Sequence, residues 1–382
     1  MTGSMLAAVL PEAGQPLQLE EIPVPTPGPG EVLVRVAACG VCHTDLHVIK
    51  GEVAFPTPAV LGHEISGTVA ALGDGVEGPS VGSEVVGTFI MPCGGCDACL
   101  RARDDLCARF FELNRLRGAL YDGKTRLYRA DGTPLAMYSM GGLAEYAVLP
   151  ASAVFGAPPS LPSDEAAVLG CASLTAYGAI RHGADLRAGE RVAVVATGGV
   201  GSLVVQFARA FGASQVIAVD VSEEKLAAVR ALGATDTVDA AGGDPVARVL
   251  ELTGGAGVDV AFEALGREQT FLQGLAMVKD GGRMVAIGIA PVDVRAPIDI
   301  TRLVRRGIRI VGSYGGRPRT DMPVLLELIE QGILRPGSSV SRRFSLEQAP
   351  EAYELLDRGG IVGRAVVTMA ALDGPGSRST EG

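Results

Sequence analysis

The feature that most constrains the fold is a regular alternation of apolar strands and amphipathic helices over residues 191–311. The first strand, Arg191–Val195, is nearly continuously apolar, which is typical of a strand buried on both faces. The next predicted strand covers residues 215–219, and the helix after it is predicted to be capped by Ser222 and to end at Gly233. Alternating strands and helices form a parallel, doubly wound sheet, so we predict an α/β fold.

The preceding part of the chain, residues 6–151, has short apolar runs separated by Gly and Pro and is predicted to be mainly β. Its clearest strands are residues 32–36, 66–70 and 84–88. A helix is predicted after this part, with Ser163 as its N-cap. Beyond the alternating region we expect two helical stretches and a last strand at 365–367. At 382 residues the chain is long for one core, which favours two domains.

Composition narrows the possible partners and compartments. There are 33 basic and 43 acidic residues, and the net charge of −10 disfavours nucleic acid as a partner. The sequence has no signal-peptide pattern and no apolar run long enough to span a bilayer, so we expect no membrane association and a cytoplasmic protein. In a reducing compartment, cysteines are more often metal ligands or catalytic groups than disulfides. The small, polar tail at 373–382 is expected to fray.

Four closely spaced cysteines form the strongest local motif, Cys93-x2-Cys96-x2-Cys99-x7-Cys107. Four thiolates at this spacing can surround one tetrahedral ion and leave no position open, as in structural zinc sites. An iron–sulfur cluster is the main competitor, but the run lacks the second set of ligands that is typical of ferredoxins. We therefore predict a closed zinc lobe over these residues.

A second, dispersed set of metal-binding residues consists of Cys42, His63 and Cys171. Each of them alone could be an ordinary buried thiol or a core histidine. Apart from the four closely spaced cysteines, however, the chain has only these two and Cys39, which we interpret as a core residue. Two thiolates, one imidazole and a water make an open zinc site of the catalytic kind.

Polar residues near these ligands are candidates for supporting the chemistry. Asp45 could accept the second ring proton of His63, as carboxylates commonly do beside metal sites. Glu64 could be another supporting carboxylate or a transient ligand during water exchange. Thr44 and His47 could carry a proton away from the site, since a hydroxyl and an imidazole can both relay protons.

The turn after the strand Arg191–Val195 predicts a dinucleotide site. It nearly matches G-x-G-x-x-G, with Ala196 in place of the first glycine, and a helix follows it. Asp220 ends the next strand, where an acidic residue binds the ribose 2′-hydroxyl and repels a 2′-phosphate, so NAD is favoured over NADP. Asp220 could instead be only a charge at a helix N-terminus. The predicted cofactor-binding residues of this region are Thr197, Gly198, Gly199, Val200, Gly201, Asp220 and Lys225.

Taken together, these motifs resemble the zinc-dependent alcohol dehydrogenases of the medium-chain dehydrogenase/reductase superfamily, over residues 5–369. The resemblance implies a GroES-like catalytic domain formed by residues 1–172 and 315–382 and a Rossmann domain formed by residues 173–314, with the active site between them. It also implies two zinc ions per subunit, NAD as the cofactor, a small-molecule alcohol or aldehyde as the substrate, and a homo-oligomer, either a dimer or a tetramer.

The same resemblance assigns individual roles. It implies that Cys42, His63 and Cys171 bind the catalytic zinc and that the four closely spaced cysteines bind the structural zinc. Thr44 and His47 match the family's proton relay.

Further positions match the cofactor and substrate sites of the family. Arg364 resembles the basic residue near the cofactor pyrophosphate, and His43 stands where the family also faces that group. Phe89 resembles a wall of the substrate pocket. The segment 114–140 is longer than in the shortest members and resembles the loop of longer, often dimeric relatives, so we expect it to border the substrate channel. The alanine at 196 departs from the family pattern.

The resemblance implies reversible oxidation of an alcohol, for which we favour a primary alcohol, with hydride transfer to NAD. A thiol-adduct formaldehyde dehydrogenase would share every motif and stays open as an alternative. A polyol dehydrogenase is disfavoured because Cys171 stands where those enzymes commonly use a carboxylate. A non-catalytic, zinc-stabilised binding protein is the alternative of a different class, and the presence of Thr44 and His47 argues against it.

Overall fold

The computed structural model of the chain describes residues 3–369, so the tail predicted to fray at 373–382 lies outside the described residues. The strands are β1 (Ser4–Leu10), β2 (Gln18–Pro23), β3 (Glu31–Val41), β4 (Ala59–Val60), β5 (Ile65–Leu72), β6 (Glu84–Gly87), β7 (Leu127–Tyr128), β8 (Pro134–Met137), β9 (Tyr146–Pro150), β10 (Val154–Gly156), β11 (Arg191–Val195), β12 (Gln215–Asp220), β13 (Asp236–Asp239), β14 (Val258–Glu263), β15 (Val278–Ala286), β16 (Arg309–Gly312), β17 (Val340–Ser345) and β18 (Arg364–Thr368).

The α-helices are α1 (His43–Ile49), α2 (Asp97–Leu100), α3 (Ser163–Ala166), α4 (Ala172–Gly178), α5 (Gly199–Ala210), α6 (Glu223–Ala231), α7 (Pro245–Leu252), α8 (Glu268–Met277), α9 (Ile300–Arg305), α10 (Pro318–Glu330) and α11 (Ala349–Asp357). Short 3₁₀ segments cover Asp104–Leu106, Ala151–Ala153, Ala167–Leu169, Pro336–Ser339 and Leu346–Gln348, and π-helical segments cover Phe110–Arg115 and Ala179–Ala184.

A six-stranded parallel sheet has the order β13-β12-β11-β14-β15-β16. In β11, Val192 and Val194 pack into one apolar cluster while Ala193 and Val195 pack into another, so helices cover both faces. The strand order reverses between β11 and β14, and open α/β sheets bind ligands at such a point. The predicted doubly wound sheet is therefore confirmed.

The β-rich part contains two further sheets. One has the order β10-β6-β5-β3-β18-β17, with β9 also pairing with β3, and the other has the order β2-β1-β4-β8-β7. In the first sheet, β18 runs antiparallel to β3, and Ala365 lies opposite Val41. This pairing brings the last described strand beside the start of α1. The predicted combination of a doubly wound sheet with a β-rich part is confirmed, whereas the domain boundaries at 172 and 314 stay a prediction.

The ends of some elements differ from the prediction. Ser163 was predicted to be an N-cap, but it is the first residue of α3 and Pro162 occupies the cap position without a side-chain bond. The fixed φ of proline suits the residue that leads into a helix, which moves the helix start by one residue. In the part of the chain that the structure describes, no helix has the length and apolar character needed to cross a membrane.

Candidate active site

Tight turns at the ends of strands place the three dispersed ligand candidates. Cys42 follows β3 directly and occupies the N-cap position of α1, with extended backbone. Gly62, which precedes His63, has φ +92°, and a Cβ there would lie 2.6 Å from the backbone nitrogen of Leu143. Only glycine is compatible with this turn. Cys171 occupies the N-cap position of α4.

Four buried side chains converge at this place. The possible ligand atoms of Cys42, His63, Glu64 and Cys171 all lie within 4.8 Å of one another. Contact with Cys171 and the nearby His63 lower the pKa of the Cys42 thiol well below its ordinary value, while contact with Cys42 and burial raise that of Cys171. Two sulfurs and one imidazole are a donor set that zinc prefers.

Asp45 orients the imidazole of His63. Its Oδ1 is 3.0 Å from Nδ1 of His63 and accepts a bond of 3.1 Å from the backbone N–H of Gly62. The hydroxyl of Tyr353 donates to Oδ2 at 3.0 Å. Burial would lower the pKa of His63, but Asp45 and Cys42 raise it to about 10. With Nδ1 held in this way, Nε2 points to the sulfurs, which is the usual support for a metal ligand.

Glu64 connects the ligand group to Arg364. The guanidinium of Arg364 donates to Oε1 of Glu64, and that oxygen is 3.9 Å from Nε2 of His63. The second oxygen, Oε2, is buried and has no hydrogen-bond partner. Burial raises the pKa of Glu64 to about 7 although Arg364 opposes the shift. An orphaned buried oxygen beside two thiols and an imidazole fits a site that holds a cation.

Thr44 and His47 lie on one side of α1, three residues apart. The Cys42 thiol is 3.6 Å from Oγ1 of Thr44. The side chain of His47 is 29% exposed, and its Nδ1 is 2.5 Å from Oε2 of Glu52. Of the two predicted relay residues, Thr44 therefore lies next to the buried sulfur and His47 lies closer to the surface.

The glycine-rich turn leads from β11 into α5. Ala196, which replaces the first glycine of the fingerprint, has φ +69°, a left-handed conformation that glycine adopts more easily. At Gly201 a Cβ would lie 2.0 Å from the carbonyl oxygen of Ala196, so a side chain is excluded there. Gly198, the N-cap residue, makes no side-chain cap bond, which leaves the first amides of the helix available to an anion.

Asp220 is held at the end of β12 beside this turn. Its Oδ2 accepts bonds from the backbone N–H of Thr197 at 2.7 Å and from its hydroxyl at 3.1 Å. Its Oδ1 accepts from the N–H of Ser222 at 3.0 Å. Only 8% of Asp220 is exposed. The carboxylate thus has a fixed orientation next to the dinucleotide turn.

A cavity of about 600 Å³ adjoins the turn and is lined by Thr197 and Lys225, among others. His43 is the first residue of α1. Desolvation and the positive charges of Arg364 and Lys225 lower its pKa, although Cys42 opposes the shift. Arg364 also touches the turn, because a Cβ at Gly199 would lie 2.7 Å from its Cδ. The structure therefore brings together the predicted cofactor residues from three separate parts of the chain.

An aromatic cluster borders His63 on another side. The ring centroids of Phe89 and Tyr138 are 6.0 and 5.9 Å from that of His63. Tyr314 packs on Phe89 at 5.5 Å and on Phe111 at 5.4 Å. We call these four aromatic residues, without His63, the ring cluster.

The segment 114–140 contributes to this cluster through Tyr138. Two short strands of the segment also join a sheet, since β7 pairs with β8 and β8 pairs with β4. The guanidinium carbon of Arg115 lies 3.9 Å from the centroid of the Tyr138 ring. Sequence reasoning missed Arg115, Tyr138, Tyr314 and Tyr353 as site residues, because each lies far along the chain from the ligands that it approaches.

The four closely spaced cysteines form a separate group. The sulfurs of Cys93, Cys96, Cys99 and Cys107 lie within 4.8 Å of one another. The backbone N–H of Cys93 donates to the sulfur of Cys107 at 3.3 Å, and that of Cys96 donates to Cys93 at 3.4 Å. Desolvation raises the pKa of Cys96, but the amides of Cys99 and Ala108 outweigh it and lower the value to about 6. Such amide contacts stabilise thiolates and suit a closed zinc site.

An ion pair fastens this lobe to α10. The guanidinium of Arg319 contacts the carboxylate of Asp104 at 2.5 Å and donates to the carbonyl oxygen of Cys99 at 2.5 Å. Asp104 is 1% exposed. Because a buried carboxylate needs such a partner, the lobe and the helix are expected to depend on each other.

Two parts of the chain match known protein families. Residues 28–159 match the alcohol dehydrogenase GroES-like domain, and residues 199–331 match the zinc-binding dehydrogenase family. The first match includes Cys42, His63 and the cysteine lobe, and the second includes Asp220.

Full-length similarities agree with these matches. An alcohol dehydrogenase from Geobacillus stearothermophilus is 34% identical over 368 residues, which are 96% of this chain and 99% of the relative. The structure of benzyl alcohol dehydrogenase from Acinetobacter calcoaceticus has a TM-score of 0.90 and 30% identity, with 96% of this chain and 100% of that chain covered. A zinc-binding dehydrogenase from Sinorhizobium meliloti 1021, solved bound to NADP, has a TM-score of 0.80 and 29% identity, with 96% and 99% covered.

Proposed function

Because the chain belongs to the zinc-dependent alcohol dehydrogenases of the medium-chain dehydrogenase/reductase superfamily, and so is an oxidoreductase acting on alcohols, we propose that it interconverts a primary alcohol and its aldehyde with NAD as the hydride acceptor. The observation that carries this proposal is the position of Arg364. It contacts Glu64 beside the ligand group and lies against Gly199 in the dinucleotide turn. A nicotinamide cofactor bound at the turn would therefore reach the ligand group.

We assign zinc binding to Cys42, His63 and Cys171. Zinc at this place would supply a Lewis acid for the alcohol oxygen. Asp45 keeps the imidazole of His63 in the ligating orientation, and its own two oxygens are both engaged by protein donors. Glu64 keeps one oxygen free beside the ligand group, which supports a role in ligand exchange.

Protons leave along α1 in this proposal. Thr44 accepts the proton of the alcohol with its hydroxyl and passes it outward, and His47 delivers it to solvent. The partial exposure of His47 and its contact with Glu52 support this direction. A bound cofactor would bring ribose hydroxyls, which can also carry protons.

The preference for NAD rests on Asp220. A carboxylate held rigidly at the end of β12 binds the ribose 2′-hydroxyl and repels a 2′-phosphate. Lys225 and Arg364 supply positive charge, and His43, whose lowered pKa leaves its imidazole neutral, offers a hydrogen-bond donor; all three are assigned to the cofactor phosphates and ribose. The NADP bound to the Sinorhizobium relative supports the nicotinamide class of cofactor.

The test is a spectrophotometric assay of the purified, zinc-loaded chain. Primary, secondary and aromatic alcohols are supplied with NAD or NADP, and formaldehyde is supplied with and without a low-molecular-weight thiol. The proposal expects NADH formation from primary alcohols and a higher kcat/KM with NAD than with NADP. A protein that bound zinc and NAD but reduced no cofactor with any alcohol would refute it. Oxidation of formaldehyde only in the presence of the thiol would instead identify the thiol-adduct reaction.

Replacing His47 by alanine is expected to lower kcat for alcohol oxidation by about 100-fold, the lower end of the usual contribution of positioned proton transfer. The deficit should be largest at low pH and shrink as the pH rises, because hydroxide and basic buffer can then accept the proton directly. The pH dependence of kcat, measured from pH 6 to 10, checks this result.

Lys50→Ala is the matched control, since it removes a basic, exposed side chain at the end of the same helix. Its pH profile should follow that of the unaltered protein. A His47→Ala profile that also follows the unaltered protein would remove this histidine from the proton path.

We also propose that the protein is a cytoplasmic homo-oligomer. The cysteines of the described chain are all free thiols, which suits a reducing compartment. Val292, and Ile300 and Val304 on α9, are 72–81% exposed, and exposed apolar side chains of this kind support self-association. Light scattering of the purified protein gives the number of subunits.

A further inference from the structure

The guanidinium of Arg115 lies next to the ring cluster with a permanent positive charge. Its carbon is 3.9 Å from the centroid of the Tyr138 ring, and that ring centroid is 5.9 Å from the His63 imidazole. A single aromatic ring therefore separates this charge from one of the proposed zinc ligands.

The Arg115 guanidinium has tyrosine neighbours but, among the described residues, no ion pair with a carboxylate. Nη1 of Arg115 is buried and has no hydrogen-bond partner, and the buried hydroxyl of Tyr138 has none either. The nearest acid in sequence, Glu112, pairs instead with the exposed Arg117 at 3.1 Å. Burial opposes a rise in the pKa of Arg115 that Tyr314, Tyr138 and Asp45 cause, but both carboxylate oxygens of Asp45 already accept hydrogen bonds from other groups.

Three other inward-facing arginines of the described residues form ion pairs with glutamates. Arg126 and Arg283 each pair with a glutamate at 2.6 Å, and Arg364 pairs with Glu64. A buried, charged donor such as Nη1 of Arg115 that lacks a hydrogen-bond partner destabilises the folded protein. We therefore expect the missing partner of Arg115 to be a bound ligand.

We propose that Arg115, with the hydroxyls of Tyr138 and Tyr314, binds a carboxylate of the substrate. The inference rests on the proposed function and deepens it: the preferred substrates are primary alcohols or aldehydes that carry a carboxylate a short spacer away from the reacting carbon. Tyr314 packs at 5.5 Å on Phe89, whose ring borders His63 at 6.0 Å, so Tyr314 belongs to the same wall of the site. Arginine is well suited to this role because its planar fork matches a carboxylate.

The reaction is balanced without any further reagent. The alcohol carbon loses two electrons and one proton as a hydride to NAD, which becomes NADH. The hydroxyl proton goes to solvent, and the product is the corresponding aldehyde. The carboxylate takes no part in the bond changes, so Arg115 is a specificity-determining residue and stays charged throughout.

The first test uses the unaltered protein and needs no variant. We would measure kcat/KM with NAD for two matched pairs: 4-(hydroxymethyl)benzoate against 4-methylbenzyl alcohol, and 4-hydroxybutyrate against butan-1-ol. The carboxylated member should be favoured by about 10- to 100-fold in at least one pair, mainly through a lower KM, as expected of a charged hydrogen bond.

The second test uses Arg115→Met and Arg115→Lys. In Arg115→Met the ratio of kcat/KM between the carboxylated and uncharged members should fall by about 10- to 100-fold. Arg115→Lys, which keeps the charge but loses the fork, should retain part of that preference. Arg117→Met is the matched control, because it removes an exposed arginine two residues away and should leave the ratio unchanged.

The outcomes separate this inference from the proposed function. Turnover of the uncharged alcohols without any preference for the carboxylated ones would overturn the inference and leave the function standing. Failure of every alcohol, charged or not, would overturn the function itself. A preference that survived in Arg115→Met at full strength would assign the carboxylate to another group and also overturn the inference.

Discussion

Replacing Cys42 by serine is expected to remove one zinc ion per chain and to lower kcat for alcohol oxidation by about 1,000-fold or more. The thiol is buried at the junction of β3 and α1, and Cys171 and His63 lower its pKa. Of the two thiols in the ligand group, Cys42 therefore ionises more easily. A serine hydroxyl is a much poorer ligand for zinc. Loss of a Lewis acid removes several kcal/mol of transition-state stabilisation, and each 1.4 kcal/mol is a factor of about ten in rate. Zinc content by mass spectrometry and kcat with a primary alcohol measure the two effects.

Cys39→Ala is the matched control for this variant. Cys39 is also fully buried and only three residues away, but burial and the nearby Asp45 raise its pKa, so it remains a neutral thiol. Its replacement should leave both zinc ions in place. The assignment of Cys42 fails if the serine variant retains two zinc ions and near-normal turnover.

Much of the parallel sheet could be predicted because its strands are short, apolar and separated by capped helices. Arg191–Val195 forms β11 with the predicted bounds, and Ser222 caps α6 through a bond to the Lys225 amide. In contrast, β17 was not predicted. Arg342 and Arg343, inside that strand, are exposed, so the segment lacks the apolar pattern that marks a buried strand.

The candidate metal groups could be predicted because the chain has only 7 cysteines and 4 histidines, and a zinc site uses just three or four such residues. Each convergence that was predicted from residue type is present: Cys42 with His63 and Cys171, and Asp45 against His63. Their roles as zinc ligands and as support stay predictions until zinc is measured.

The individual residues of the proposed carboxylate site could not be predicted from local sequence, although the segment 114–140, which contains two of them, was expected to border the substrate channel. Arg115, Tyr138 and Tyr314 come from three distant positions, and nothing in their immediate neighbours distinguishes them from surface or core residues. Their proximity depends on the packing of the π-helical segment Phe110–Arg115 beside the ring cluster. Tyr353 shows the same effect, since its contact with Asp45 joins positions 308 residues apart.

Replacing Cys107 by serine is expected to remove the other zinc ion and to lower the Tm by about 10 °C or more. Cys107 is fully buried in the lobe, and its sulfur accepts a hydrogen bond from the backbone N–H of Cys93. Without Cys107 the remaining three thiols should no longer hold the zinc ion that joins them. Structural zinc contributes about 10 kcal/mol to folding in small zinc domains, and a loss of 1 kcal/mol lowers the Tm of larger domains by about 2–4 °C. Thermal unfolding and metal analysis of the purified variant provide the test.

The control for this effect is Leu100→Ser, which alters a 75% exposed side chain beside Cys99. It should change neither the zinc content nor the Tm. The two cysteine variants also serve as controls for each other, because Cys42→Ser should lose activity at a nearly unchanged Tm while Cys107→Ser should lose stability first. Arg319 of α10 pairs with Asp104 of the lobe, so loss of the lobe's structure should also destabilise this helix. Cys107→Ser should therefore be cleaved more readily by proteases at α10. A Cys107→Ser protein with two zinc ions and an unchanged Tm would contradict the assignment of a closed zinc site. Iron in the unaltered protein would instead identify the four cysteines as ligands of an iron–sulfur cluster.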